Sequence, residues 1–237
     1  MYRFLAIVFC ASLLFSGCID IFIDVVHNPD NTFTLRKMVS IDDSLFVMLQ
    51  DFANSMGDST AKKPTKRMML DSMEHEFAWE REVLLATKGV TWYASRDSEA
   101  SGRTFILSEI GVKDAASLST ASVALMQTLD SKKPEERDPD NSRPTVKCAV
   151  TAEGTSITFS FEKGKKKQTQ EDLGMATQLF KDHGLFIRVF SPTLAVSKNK
   201  QIFPIDGGQE WRIPLVKMMD EKYLAKTKAT FLLKGVR

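Results

Sequence analysis

"IDIFIDVVHNPDNTFTLRKMVSI", residues 19–41, is the stretch on which the fold turns. Its flanks, 19–26 and 32–41, place apolar side chains in near alternation, the period of a half-buried strand. HNPDN between them is a turn composition: proline presets φ, and asparagine and aspartate tolerate left-handed backbone. The stretch predicts a β-hairpin. Asp42 then stands as an N-cap, with Leu45, Phe46, Leu49, Phe52 and Ala53 at helical spacing over about 43–56.

Downstream the rhythm repeats. SMGDSTAKKPTK (55–66) is a loop by composition, and a helix over about 65–87 carries Met69, Leu70, Met73, Phe77, Glu80 and Leu84 before Gly89 ends it. VTWYASRD and RTFILSEI flank EASG and predict a second hairpin around Gly102, followed by a helix near 115–129 capped by Asp114. The segment 131–145 is dense in charge and proline and reads as a solvated insertion. VKCAVTAEG and TSITFSFEKG form a third hairpin with Ile157, Phe159 and Phe161 on one face. A helix over about 170–182, with Leu173, Ala176, Leu179 and Phe180, leads to Gly184 and the strand LFIRVFS. This order predicts one α+β domain over 18–237. Its antiparallel sheet is built from successive β-hairpins, with helices packed on one face and β-β-α units that suggest duplication.

Upstream of the hairpin, Arg3 is the only charge in the first nineteen residues, and Phe4 to Phe15 form an apolar run. That run is short of the roughly 17–25 residues a spanning helix needs. Extending it would carry Asp20 and Asp24 into hydrocarbon. Residues 1–17 read as a signal peptide. Leu14-Phe15-Ser16-Gly17 ahead of Cys18 resembles a bacterial lipobox, with Phe15 where leucine is usual. The resemblance implies a diacylglycerol on the Cys18 thiol and a protein tethered to the membrane of the cell envelope. Because residue 19 is Ile, it implies the outer membrane in a diderm host. Two or more acyl chains give a stable anchor where one does not.

The formal charge of the whole chain is +2, and loss of Arg3 with the signal leaves +1, so bulk charge makes no case for nucleic acid. Cys10 leaves with the signal and Cys18 is acylated, which leaves Cys148 without a disulfide partner; in VKCAV it reads as a buried thiol. Ser59-x-x-Lys62 and Ser197-x-x-Lys200 lack the Lys-Thr-Gly and Ser-Asp-Asn elements that penicillin-recognising enzymes add to that pair. Asp138-Pro-Asp140-Asn141 lacks the glycine and closing glutamate of a calcium loop. His27, His75 and His183 are scattered. The expectation is a non-enzymatic protein with neither cofactor nor metal. Lys165, Lys166 and Lys167 form the basic cluster worth keeping, since lysines near anionic headgroups each gain about 1 kcal/mol.

Residues 185–215, LFIRVFSPTLAVSKNKQIFPIDGGQEWRIPL, run from a strand through Pro192 and a Ser-Lys-Asn element to a glycine turn and Trp211-Arg212-Ile213-Pro214-Leu215. With the cysteine followed at once by a hairpin and helix, this resembles the LppM-like family of bacterial envelope lipoproteins. Lys198 separates Ser197 from Asn199, and 58–88 and 131–145 are longer than the family core. The C-terminal FLLKGVR is too short for the membrane helix many members carry. The resemblance implies a tethered α+β module without an agreed activity, some members being linked to envelope glycolipids and host-cell interaction. It suggests a lipid or glycolipid ligand held between helices and sheet, with Lys165–Lys167 as candidate contacts and Trp211 as another if its ring points outward; pointing inward, as large aromatics favour, Trp211 is a core anchor. The many Met and Phe side chains, 11 and 16, suit such a ligand. The alternative is a structural or protein-interaction module that presents 55–66 and 131–145 to a protein partner the sequence does not name.

Overall fold

The structure is a computed structural model that describes residues 19–56, 65–76, 79–128, 143–162, 183–197, 199–218 and 220–236. Cys18, Lys165–Lys167, most of the two expected insertions and the expected helix over 170–182 lie outside the described residues.

The opening stretch forms the predicted hairpin. Strand β1 (Ile19–His27) pairs antiparallel with β2 (Phe33–Asp42), from Ile19 opposite Ile41 to His27 opposite Phe33. Asp30 closes the turn by accepting hydrogen bonds from the Thr32 amide (3.0 Å) and hydroxyl (2.6 Å). Helix α1 (Asp43–Met56) starts where Asp42 accepts from the Ser44 amide at 2.9 Å. The helix expected over 65–87 is described as two, α2 (Lys66–Glu76) and α3 (Trp79–Ala86). Strands β3 (Val90–Ala100) and β4 (Arg103–Val112) meet at Ser101 and Gly102, both at positive φ (52° and 72°), as a two-residue hairpin turn of the mirror-image type requires. Helix α4 (Ala115–Gln127) is capped as expected, the Asp114 carboxylate accepting from Ser117 N at 2.8 Å.

The third hairpin, β5 (Arg143–Thr151) and β6 (Gly154–Glu162), also forms, so 143–145 belong to a strand and not to the solvated insertion. The rest comprises β7 (Gly184–Phe190), β8 (Ile202–Ile205), β9 (Gly208–Pro214), the single turns α5 (Leu215–Met218) and α6 (Glu221–Leu224), and β10 (Lys228–Lys234).

The architecture is the expected mixed α+β, with a large, mainly antiparallel sheet. Its seven strands run in the order β3-β4-β2-β1-β7-β9-β8, and β1 and β7 pair in parallel. The third hairpin does not extend it. Together with β10 it makes a separate sheet, β10-β6-β5. The reason is apolar pairing at long range: Ala229, Phe231 and Leu233 of β10 are buried with Ile157 and Phe159 of β6, and Phe159 meets Phe231 edge-on at 6.0 Å. Both sheets and α4 contribute to one buried cluster. The Ala-, Ser- and Leu-rich sequence of α4 suits this position, since small side chains let a helix touch β2 and β4 on one side and β5 on another.

Trp211 is fully buried in this cluster. It is a core anchor, and the alternative of an outward ring offered to a ligand is corrected by its burial. A second, smaller cluster (Ile41, Leu45, Phe46, Leu70) packs against Ile19, Val39 and Ile106 at the end of the sheet where β1 begins. The core face of β2 joins the two clusters, and Lys37 stands between them, buried.

Candidate functional site

The pocket lies at the opposite end of β1. Strand β7 runs parallel to β1 from Leu185 beside Ile21 to Phe190 beside Val26, so the chain leaves β7 next to His27. From there residues 191–197 cross toward the small sheet. Ala195 N donates to Leu232 O (2.8 Å), and Lys234 N to Thr193 O (3.0 Å). The chain then returns as β8, the Asp206-Gly207 turn and β9. Gly208 is required at this return because a Cβ there would collide with the Val189 carbonyl.

Ser191, Leu194, Val196, Ser197, Ile202, Pro204, Gly208 and Gln209 line a half-open pocket of about 260 Å³. Among the described residues its lining carries no charged side chain, and these residues suit an uncharged, partly apolar group. Gln209 is buried; its Nε2 donates to Ala195 O at 2.9 Å, and its Oε1 finds no hydrogen-bond partner among the described residues. Ser197 accepts from Asn199 N (3.1 Å), and Asn199 Oδ1 accepts from Gln201 N (2.9 Å). Ser197 and Asn199 thus each accept, through the side chain, from the amide two residues on. Val196 is 90% exposed on the pocket's rim, and Phe203, on the opposite face of β8, is 53% exposed.

A serine, a histidine and an asparagine stand in series beside the pocket. His27 Nδ1 is 3.1 Å from Ser191 Oγ, and Nε2 is 3.2 Å from Asn31 Oδ1. An Nε2–H donated to Asn31 leaves Nδ1 to accept the Ser191 hydroxyl proton. Ser191 Oγ in turn accepts from Thr193 N at 3.2 Å and lies 3.0 Å from Thr193 Oγ1. Its donor and acceptors are engaged in forming the turn, and the series is a strut for the pocket wall.

The outer face of the large sheet carries opposite charges in register: Glu109, Arg36, Asp24, Arg188 and Glu210 face one another across five strands. Arg188 holds Asp24 with two bonds of 2.6 and 2.9 Å, and Arg36 reaches Glu109 at 2.6 Å. The guanidinium of Arg188 lies 4.5 Å above Phe22 and that of Arg212 lies 4.6 Å above Phe186, while the two rings stack at 4.7 Å. The arginines thus roof the aromatic pair.

Two further groups have perturbed chemistry. Lys37 donates to Glu80 on α3 and to Thr128 Oγ1 (2.9 Å); burial pulls its ammonium below the ordinary lysine value while the Glu80 carboxylate opposes. Burial pushes the Cys148 thiol up to about 12, which leaves it unreactive at neutral pH. Among the described residues no group of His, Cys, Asp and Glu is arranged to hold a metal, and no helix is long and apolar enough to cross a membrane.

Of the residues singled out in the sequence, Trp211 is in the core, and Cys18 and Lys165–Lys167 lie outside the described residues. The pocket residues Ser191, Leu194, Val196 and Gln209 fall inside the patterned stretch 185–215, but only the β7–β9 and β8–β9 pairings bring them together.

No protein family and no curated protein matches the chain in sequence. In structure it is similar to the folded domain of the Mycobacterium tuberculosis protein LppM, solved by NMR, at 9% identity and a TM-score of 0.43. That alignment covers 94% of this chain and 92% of that one.

Proposed function

We propose that the protein is a lipid-anchored lipoprotein of the bacterial cell envelope that binds an amphiphile, a lipid or glycolipid, without chemical conversion. The observation that carries the binding is the pocket, whose described lining holds no charge, with Leu194, Val196, Ile202 and Pro204 for an apolar portion and the buried Gln209 for a polar one. Support for the anchor is the run from Leu14 to Cys18, and Ile19 after it favours the outer membrane in a diderm host. The pocket replaces the expected location between helices and sheet, where Trp211 and its neighbours occupy the core.

The anchor precedes Ile19, and the pocket lies past the far ends of β1 and β7. From Asp20 to Val26 is six residues of strand, about 20 Å at ~3.3 Å per residue. With β1 upright on the bilayer, that length would hold the pocket clear of its surface.

The anchor is tested by radiolabelled palmitate incorporation in a bacterial host, which Cys18→Ser abolishes. Binding is tested by extracting lipids that copurify with the chain: wild type carries them, and Val196→Trp, which blocks the mouth from an exposed position, does not. Equal lipid in both proteins, or none in either, refutes the pocket. A second reading, a protein-interaction module, is favoured by the exposure of Val196 and Phe203; crosslinking in intact cells that captures one defined protein through position 203 supports it.

A further inference from the structure

The end of the domain opposite the pocket carries its own surface. Strand β1 is the fourth of seven in the large sheet, and Ile19, its first residue, packs against the second cluster. Cys18 is bonded directly to Ile19, so about 3.8 Å of backbone separates the modified residue from the folded domain. There is no linker over which the domain could stand away from its anchor.

The elements around that point are tied together. Asp43 N donates to Gly102 O (3.0 Å), joining the start of α1 to the tip of the β3–β4 hairpin. Lys66, at the start of α2, reaches Asp43 (2.8 Å) and Glu99 (2.9 Å), and Thr104 Oγ1 donates to Asp43 (2.8 Å). On the two helices that cover the cluster, Val47 is 57% and Met68 is 45% exposed. Arg67 stands beside Met68, with ion pairs to Asp71 (2.8 Å) and Asp97 (3.0 Å). Apolar side chains next to a basic one on a helix surface are the pattern of an interfacial element, which buries the former at the acyl boundary and keeps the latter among headgroups.

We propose that this end, presented by α1 and the start of α2 with Val47, Met68 and Arg67, rests on the bilayer and orients the domain with its pocket pointing away. The proposal depends on the reading of Cys18 as the anchor. The occupant is a lipid surface rather than a protein because the covalent tether holds these side chains at the membrane at high effective concentration.

The test uses the full acylated chain with Cys148→Ala, carrying Val47→Cys, Met68→Cys or, at the far end and outside the pocket lining, Asp206→Cys in the exposed β8–β9 turn, each labelled with an environment-sensitive fluorophore. The proteins are reconstituted in vesicles of phosphatidylethanolamine and phosphatidylglycerol with nitroxide-headgroup lipid, and intact mass records the acylation. Several-fold stronger quenching at positions 47 and 68 than at 206 is expected. Equal quenching at all three sites on an acylated chain overturns the orientation and leaves the anchor standing. An unacylated chain overturns both. Crosslinking of 47 and 68 to a membrane protein in cells, without quenching in vesicles, overturns it in favour of a protein occupant.

Discussion

Replacing Lys37 with methionine should be among the most damaging single changes in the described structure, and replacing its partner as well should undo most of the damage. Lys37 and Glu80 are almost wholly removed from water, at 4% and 1% exposure. Glu80 joins α3 to the sheet through the lysine, and its second carboxylate oxygen has no hydrogen-bond partner among the described residues. Lys37→Met keeps the volume but leaves that carboxylate buried without its counter-ion, which costs about 3–5 kcal/mol. In Lys37→Met with Glu80→Leu no charge remains to be desolvated, and such replacements are typically neutral or stabilising by about 1–4 kcal/mol. Thr128 keeps a partner in either case, because its hydroxyl donates to Leu125 O at 2.7 Å. Urea unfolding of the non-acylated mature chain reads both values. A single variant within about 1 kcal/mol of wild type, or a double variant as damaged as the single, refutes the reasoning that the lost counter-ion sets the cost.

Asp114→Ala removes the cap of α4 and should cost about 1 kcal/mol at neutral pH. The Ser117 hydroxyl and amide hold the Asp114 carboxyl below the ordinary carboxylate value, so its contribution is present above the unfolded value of 3.8. As pH falls through the lower folded value the contribution disappears, and the wild-type and variant stabilities, followed by urea unfolding across acid pH, should converge there. Trp211→Ala should destabilise the chain by about 3–5 kcal/mol, measured by the same unfolding, since it empties a fully buried site. Cys148 should resist iodoacetamide in the native protein at neutral pH and react fully in denaturant, read by intact mass.

The hairpins were legible because each is a local matter: a period of two on either side of a turn whose residues permit its backbone, as with Asp30 and Thr32 or Ser101 and Gly102. The helix caps at Asp42 and Asp114 were legible for the same reason. The partition into two sheets was not, because it depends on β10 meeting β6 and on β1 meeting β7, pairings that no local pattern encodes. Trp211 could not be assigned from spacing, since one step of register in a strand turns every side chain to the other face. The pocket was hidden behind the same difficulty. Ser191 and Gln209 share a recognisable stretch, but their meeting is a product of sheet pairing. The opposite charges aligned from Glu109 to Glu210 come from separate strands and appear only once the register is known.

The proposed function puts an amphiphile in the pocket between Ser191 and Gln209. Native mass spectrometry of the chain from residue 20, purified from bacteria without detergent, tests it most directly. The expected result is an added mass that denaturation releases, that extraction identifies as a lipid or glycolipid, and that is absent from Val196→Trp. A clean unliganded mass, or an added mass that Val196→Trp retains in full, contradicts it.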